Sequence, residues 1–299
     1  MMSRDNFCAM HCNHGLGLLL GAGTLAAALT SGPAAGPEPV VVTVASKDAT
    51  PISVECAGSG PTLLLVHGGT GNRTRWTPLF PLFAPRVTVC AMDRRGHGKS
   101  GDAREYSLRK EAEDVAAVVD SRPGKVFVLG HSFGGVASLE AAFLTNRIAK
   151  LILYEPPVRN PDNAAILEQM ERSIAAGDRE AALVTFFRGI VMISPSEIAL
   201  MKARPSWPGL LASVESSIRQ DRALSANRFD ASRMRTLQTP TLLLMGGNTA
   251  SPQLKLAIDS LRQTLPHTEL TVFPGQEHNA MDTIPREFAD RVLRFIAGE

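Results

Sequence analysis

Lysine and arginine form no run in this chain, and no basic stripe is interleaved with aromatics; 31 basic residues face 29 acidic ones, for a net charge of +2. Binding to nucleic acid through phosphates needs such a concentration of cations. Nucleic acid is therefore excluded as a partner. Aromatic residues are scarce too, at 5% of the sequence, which leaves few stacking platforms for sugars or nucleobases. No internal repeat occurs. No stable membrane span is expected either, because the apolar run Gly15 to Leu29 is short and glycine-rich, whereas a span needs about 20 apolar residues.

Cysteine is limited to four positions. Cys8 and Cys12, with His11 and His14, have a loosely metal-like spacing, but they precede the apolar run, where no scaffold orients them, and we expect no metal. Cys56 and Cys90 each fall inside an apolar, strand-like run, so burial as free thiols is the expectation. A disulfide becomes plausible only on export.

What is present is ordinary for a globular protein: 299 residues, 44% hydrophobic and 20% charged, enough for a full core. Ahead of it lies the segment 1–39. There Arg4, the Gly15 to Leu29 run and the breaker-rich Thr30-Ser31-Gly32-Pro33-Ala34-Ala35-Gly36-Pro37 resemble a signal peptide. Against this, Asp5 offsets Arg4, and a disordered extension is the competing reading. We carry export to the periplasm or exterior forward as the expectation, with a cytoplasmic protein as its alternative.

From Val40 onward short aliphatic and β-branched runs alternate with helical patterns. Eight strands are expected: Val40 to Val44, Ile52 to Cys56, Thr62 to Val66, Val87 to Met92, Lys125 to Leu129, Lys150 to Tyr154, Thr241 to Met245 and Glu269 to Phe273. From Thr62 the runs are continuously apolar, as in parallel strands buried on both faces, and helices over Tyr106 to Asp120 and Pro252 to Thr264 fit the crossovers. The class is α/β, a doubly wound and mostly parallel eight-stranded sheet. The alternation stops between Glu155 and Pro240. A structureless loop of that length is improbable in a compact domain, so residues 159–236 are expected to form an inserted helical cap between two stretches of core, 40–158 and 237–299.

Chemistry enters at Gly130-His131-Ser132-Phe133-Gly134, placed between the strand-like Lys125 to Leu129 and the small-residue helical stretch Gly135 to Leu144. Strand, G-x-S-x-G, helix is the pattern of a nucleophile elbow: a strand turning at once into a helix strains the central residue, and the flanking glycines make room. Ser132 is the expected nucleophile. Serine needs a histidine base, and the base needs a carboxylate to fix its tautomer. Of the seven histidines, His278 follows the last strand on a loop late in the chain; His67 and His97 lie in glycine-rich loops, and His131 adjoins the serine.

With Leu65-Val66-His67-Gly68-Gly69 and Asp93-Arg94-Arg95-Gly96-His97-Gly98-Lys99-Ser100 added to the elbow, the sequence resembles the α/β-hydrolase family from about Val40 to Ala297. That resemblance implies an oxyanion hole made by the backbone N–H groups of Gly69 and Phe133. The competing reading of Gly96 to Gly101 as a nucleotide loop is a weak match, and a P-loop would need glycine where Asp93 stands. One departure is plain. The loop after the seventh strand, Gly246 to Pro252, holds no carboxylate. Either the triad is broken, or the acid comes from elsewhere; Glu155, at the carboxyl end of the sixth strand, is the preferred replacement, over Glu277, Asp259 and Asp282, which read as pointing away or as helix-surface residues.

The expected activity is hydrolysis of a small ester, thioester or lactone by Ser132, His278 and Glu155, with no cofactor and a small-molecule partner. Carbon–carbon bond hydrolysis or perhydrolysis by the same residues, and a non-catalytic ligand-binding protein, are the alternatives. Serine at the elbow argues against the dehalogenases and epoxide hydrolases that the family implies use aspartate there.

Overall fold

The computed structural model describes residues 39–158 and 162–299. The signal-like run and the Cys8, Cys12, His11 and His14 group lie outside them. The strands are β1 (Val40–Ala45), β2 (Pro51–Ala57), β3 (Thr62–Val66), β4 (Thr88–Met92), β5 (Val126–His131), β6 (Ile148–Tyr154), β7 (Thr241–Gly246) and β8 (Thr268–Phe273). They form one sheet in the order β1-β2-β4-β3-β5-β6-β7-β8. β2 pairs antiparallel with β1 and β4, and every pairing from β4 through β8 is parallel.

The unbroken apolar runs have a direct structural consequence. On β3, Leu64 and Val66 point to one face of the sheet while Leu63 and Leu65 point to the other, and all four are fully buried. The first face is covered by α2 (Leu108–Asp120), α3 (Phe133–Ala141) and α10 (Pro252–Thr264), and the second by α1 (Phe80–Phe83) and α12 (Pro285–Ala297). Burial at roughly 25 cal/mol per Å² on both faces gives the central strands a large hydrophobic stabilisation. Ser107 caps α2 by accepting from the Lys110 amide, which is why that helix starts at Leu108 rather than Tyr106.

Between β6 and β7 lie α4 (Ala164–Ala175), α5 (Arg179–Phe186), a π-helical turn (Phe187–Val191), α6 (Pro195–Lys202), α7 (Trp207–Ala212), α8 (Val214–Ala226) and α9 (Ala231–Met234). All but α9, whose Met234 joins the core of the sheet, share an apolar cluster of their own, including Leu167, Met170, Phe187, Ile193, Met201, Trp207 and Leu210. Met192 is 40% exposed at the positive φ that ends the π turn. Among the described residues no helix is long and apolar enough to cross a membrane.

The expectation of free thiols is corrected. Cys56 and Cys90 are register partners across the antiparallel β2–β4 pair, with Cα atoms 4.1 Å apart, and they form a disulfide. Period-2 strand geometry aims two opposed side chains at the same face. The pairing was hidden because the sequence does not reveal that β2 neighbours β4.

Candidate active site

β5 runs without a break into α3, and Ser132 takes the turn between them with φ 52° and ψ −125°. That is the left-handed side of backbone space, costly for any residue with a Cβ. It persists because both neighbours two places away must be glycine: a Cβ on Gly130 would lie 2.5 Å from the Gly134 carbonyl oxygen, and one on Gly134 would strike the His67 and Val66 carbonyls. Ser132 N–H donates to the Tyr154 carbonyl at 2.8 Å, extending the β5–β6 ladder and setting the serine beside the end of β6.

Glu155 follows at that end, again at positive φ (45°), with its amide donating to the Leu244 carbonyl of β7. Its carboxylate is wholly buried. One oxygen, Oε2, lies 2.5 Å from His278 Nδ1; the other, Oε1, accepts from the Gly246 amide at 2.8 Å and from the Thr249 hydroxyl. A buried carboxylate requires partners for its lone pairs. The acid-free loop after β7 supplies them: it donates two hydrogen bonds to an acid borne by β6. Glu155 thus orients Nδ1, which leaves Nε2 of His278 for chemistry.

His278 stands on the loop after β8, and three contacts from the sheet hold that loop. The Tyr154 hydroxyl donates to the Glu277 carbonyl and accepts from the Ala280 amide at 3.2 Å, while His131 Nε2 lies 3.0 Å from the His278 carbonyl. The rings of His131 and His278 are 4.6 Å apart. Burial, followed by the charge of His278, drives the His131 pKa well below the ordinary imidazole range. His131 is therefore a neutral prop, a role its position beside the serine did not reveal.

Ser132, His278, Gly69 and Phe133 line one cavity of about 550 Å³. The lining combines apolar side chains, Pro157, Phe186, Ile190, Val191, Leu224 and Leu254, with polar ones, Ser217, Gln220 and Asp221 of α8 and Ser251 and Gln253 near the start of α10. None of these polar lining residues was a sequence candidate, because they fall in segments with no motif. A smaller compartment of about 340 Å³ lies on another side of Ser132 and His278, with Thr70, Arg75, His131, Met201 and Asn279 in its lining.

The remaining candidates divide. Asp259 is exposed. Asp282 is not the surface residue expected; its side chain is 13% exposed and pairs with Arg75 and Arg204. Glu277 faces α6, where its carboxylate accepts from the Ser194 amide. The Gly96 to Ser100 loop wraps an internal anion: Asp93 accepts from the amides of Arg73 and Lys99 and pairs with the Arg73 guanidinium, occupying the space a phosphate would need. Among the described residues, no three His, Cys, Asp or Glu side chains gather as a metal site would require.

Residues 63–291 match the alpha/beta hydrolase family. The chain belongs to that family. A solved alpha/beta hydrolase from Sphaerobacter thermophilus is 34% identical and superposes with a TM-score of 0.70, covering 83% of this chain and 99% of that one. Among curated relatives, a 2-(acetamidomethylene)succinate hydrolase of Mesorhizobium japonicum is 23% identical, over 82% of this chain and 91% of its own length. A pimeloyl-[acyl-carrier protein] methyl ester esterase of Nitrosomonas europaea is 26% identical, over 79% and 96%. This alpha/beta hydrolase is accordingly an enzyme of the hydrolase class.

Proposed function

We propose that the protein hydrolyses a small ester, thioester or lactone through Ser132, His278 and Glu155. The Ser132 hydroxyl attacks the carbonyl, and His278 Nε2 takes its proton and later returns it to the leaving group. Glu155 fixes the imidazole tautomer and stabilises the imidazolium. The N–H groups of Gly69 and Phe133 receive the developing oxyanion. Water then enters by the same base and releases the acid. The helices between β6 and β7 act as a cap that closes over the cavity and keeps the acyl-enzyme dry until that step.

The observation that carries this reading is the 2.5 Å contact between Glu155 and His278, with His278 and the strained Ser132 lining one cavity. Carboxylate, imidazole and serine in that order are what acyl transfer requires. The methyl ester esterase and succinate-derivative hydrolase among the relatives act, by their names, in hydrolysis, which supports the same class of reaction here.

The test is labelling with a fluorophosphonate probe together with turnover of a panel of short acyl esters. Ser132→Ala is expected to abolish both while leaving the circular dichroism spectrum unchanged. Probe labelling that survives in the folded variant would place the nucleophile elsewhere. A wild-type protein that neither labels nor turns over any ester would be a ligand-binding member of the fold.

A further inference from the structure

Behind the two backbone donors lies a charge that the steps above do not use. Arg94 fills the x position of the Asp-x-Arg-Gly loop, and its side chain is 0% exposed. A cation so buried is costly unless it is compensated. Glu111 forms a buried ion pair with it, Oε2 lying 3.6 Å from Nε, but this pair makes no hydrogen bond, and both atoms lack a hydrogen-bond partner. Burial pushes the Glu111 pKa up. The guanidinium is directed elsewhere. Nη1 donates to Gln220 Oε1 at 3.2 Å, Nη2 donates to His97 Nε2 at 3.1 Å, and the group sits 4.6 Å from the centre of the Phe133 ring.

Those contacts determine two tautomers. His97 Nε2 also receives the Gln220 amide at 2.7 Å, so it must present a lone pair; the proton is on Nδ1, which donates to the Gly71 carbonyl at 2.8 Å. His67 repeats the arrangement. Its Nε2 accepts from the Arg94 backbone amide at 3.1 Å, and its Nδ1 donates to the Gly68 carbonyl at 2.9 Å. Burial first, and the Arg94 charge second, hold both imidazoles neutral, well below their ordinary pKa. Because a peptide group is planar and trans, pinning the Gly68 carbonyl also aims the Gly69 N–H, which points the opposite way in the same plane. α8 joins the same network: Gln220 bonds Arg94 and His97, and the hydroxyl of Ser213, which precedes the helix, accepts from the Gly71 amide at 2.7 Å.

We infer that Arg94 is a positioning residue for the oxyanion hole, locking the Gly68 to Gly71 loop and Phe133 in place and turning a buried positive charge toward both, with Gln220 as the arm by which the inserted helix α8 joins that network. The inference rests on Gly69 and Phe133 being the oxyanion donors.

The experiment measures kcat and KM for two esters of different acyl length, counts active sites with the fluorophosphonate, and determines the affinity for a trifluoromethyl ketone, whose serine adduct places an oxyanion in the hole. Arg94→Met is expected to lower kcat per titrated site by about tenfold to a hundredfold, on the scale of losing one oxyanion donor or less. KM should stay within about threefold, and ketone affinity should fall in parallel with kcat. Arg94→Lys keeps the charge and recovers part of the loss. Gln220→Leu lowers kcat for both esters alike, by about tenfold or less, whereas a residue that only touches substrate would separate them. A purely structural role would reduce the number of titratable sites and the melting temperature but leave kcat per site and ketone affinity intact, and that result overturns the inference. If Arg94→Met does not fold, wild-type values of both quantities in Arg94→Lys and Gln220→Leu overturn it equally. Wild-type protein that neither labels nor turns over marks instead a failure of the underlying catalytic reading, which the variant comparison cannot produce.

Discussion

At Glu155 the sequence is most ambiguous and the geometry most definite. A carboxylate at the end of the sixth strand could as well have capped the start of the next segment; what distinguishes it is a set of three partners, His278, the Gly246 amide and the Thr249 hydroxyl. Only contact across β6, β7 and the loop after β8 brings these together, so the one hint available in the sequence was negative, the missing acid after β7. Ser132, by contrast, was legible from local sterics alone, since strand, glycines and helix are contiguous. His278 came from chain order. Gly69 could be assigned only by resemblance, because the direction of a backbone N–H leaves no trace in residue type. For Glu155→Gln we expect the size to be kept and the imidazolium to lose its stabilising charge, with kcat lower by about two to four orders of magnitude, as acid-to-amide changes in serine triads produce. Steady-state kinetics on any ester turned over by wild type checks this; near-wild-type turnover would remove Glu155 from the mechanism.

Elements meet at a second acidic contact, where α6 reaches the loop that carries His278. Glu197 of α6 shares a hydrogen bond with Glu277, receives the Asn279 amide, and lies near Asp282, itself paired with Arg75 and Arg204. Burial, and then the neighbouring Glu277, push the Glu197 pKa up to about 7. Burial would raise Glu277 as well, but hydrogen bonds from Glu197 and Ser194 hold it below the ordinary range. One proton between two carboxyl groups joins α6 to the His278 loop. The sign follows from linkage: an acid whose folded pKa exceeds its unfolded value contributes stability at low pH, and that contribution is lost as the pH rises from the ordinary carboxyl range through about 7. Glu277 acts in the opposite sense, its contribution being lost only as the pH falls through its lowered pKa, so the change from the ordinary carboxyl range through about 7 is set by Glu197. Glu197→Gln, which mimics the protonated acid at every pH, should therefore match wild type in melting temperature near pH 4 and exceed it by a few degrees near pH 8.5. Equal melting temperatures at both values would show that the pair carries no shared proton.

For the molecule as a whole, hydrophobic periodicity made all eight strands legible to within a residue or two, because each depends on local pattern. Lateral order did not follow from the pattern. That β2 lies between β1 and β4 is decided by long-range pairing, and from it comes the Cys56–Cys90 bridge, with the two cysteines 34 positions apart. Closing a loop of that size restricts the unfolded chain and contributes about 2–4 kcal/mol on the entropic account. The bridge ties β2 to β4, whereas the proposed catalytic groups stand on and after β3, β5, β6 and β8, so reduction should lower stability in denaturant by that amount and leave kcat/KM within about twofold. A bridge of this kind persists in an oxidising compartment and is rare in the cytosol. It therefore aligns with the signal-like run Gly15 to Leu29, and the two observations make one prediction. Protein taken from its native host with thiols alkylated at lysis should begin downstream of that run, and Cys56 and Cys90 should escape alkylation. An intact N-terminus with both cysteines alkylated would refute export and would leave the bridge as a bond that forms only when the protein is removed from the cell.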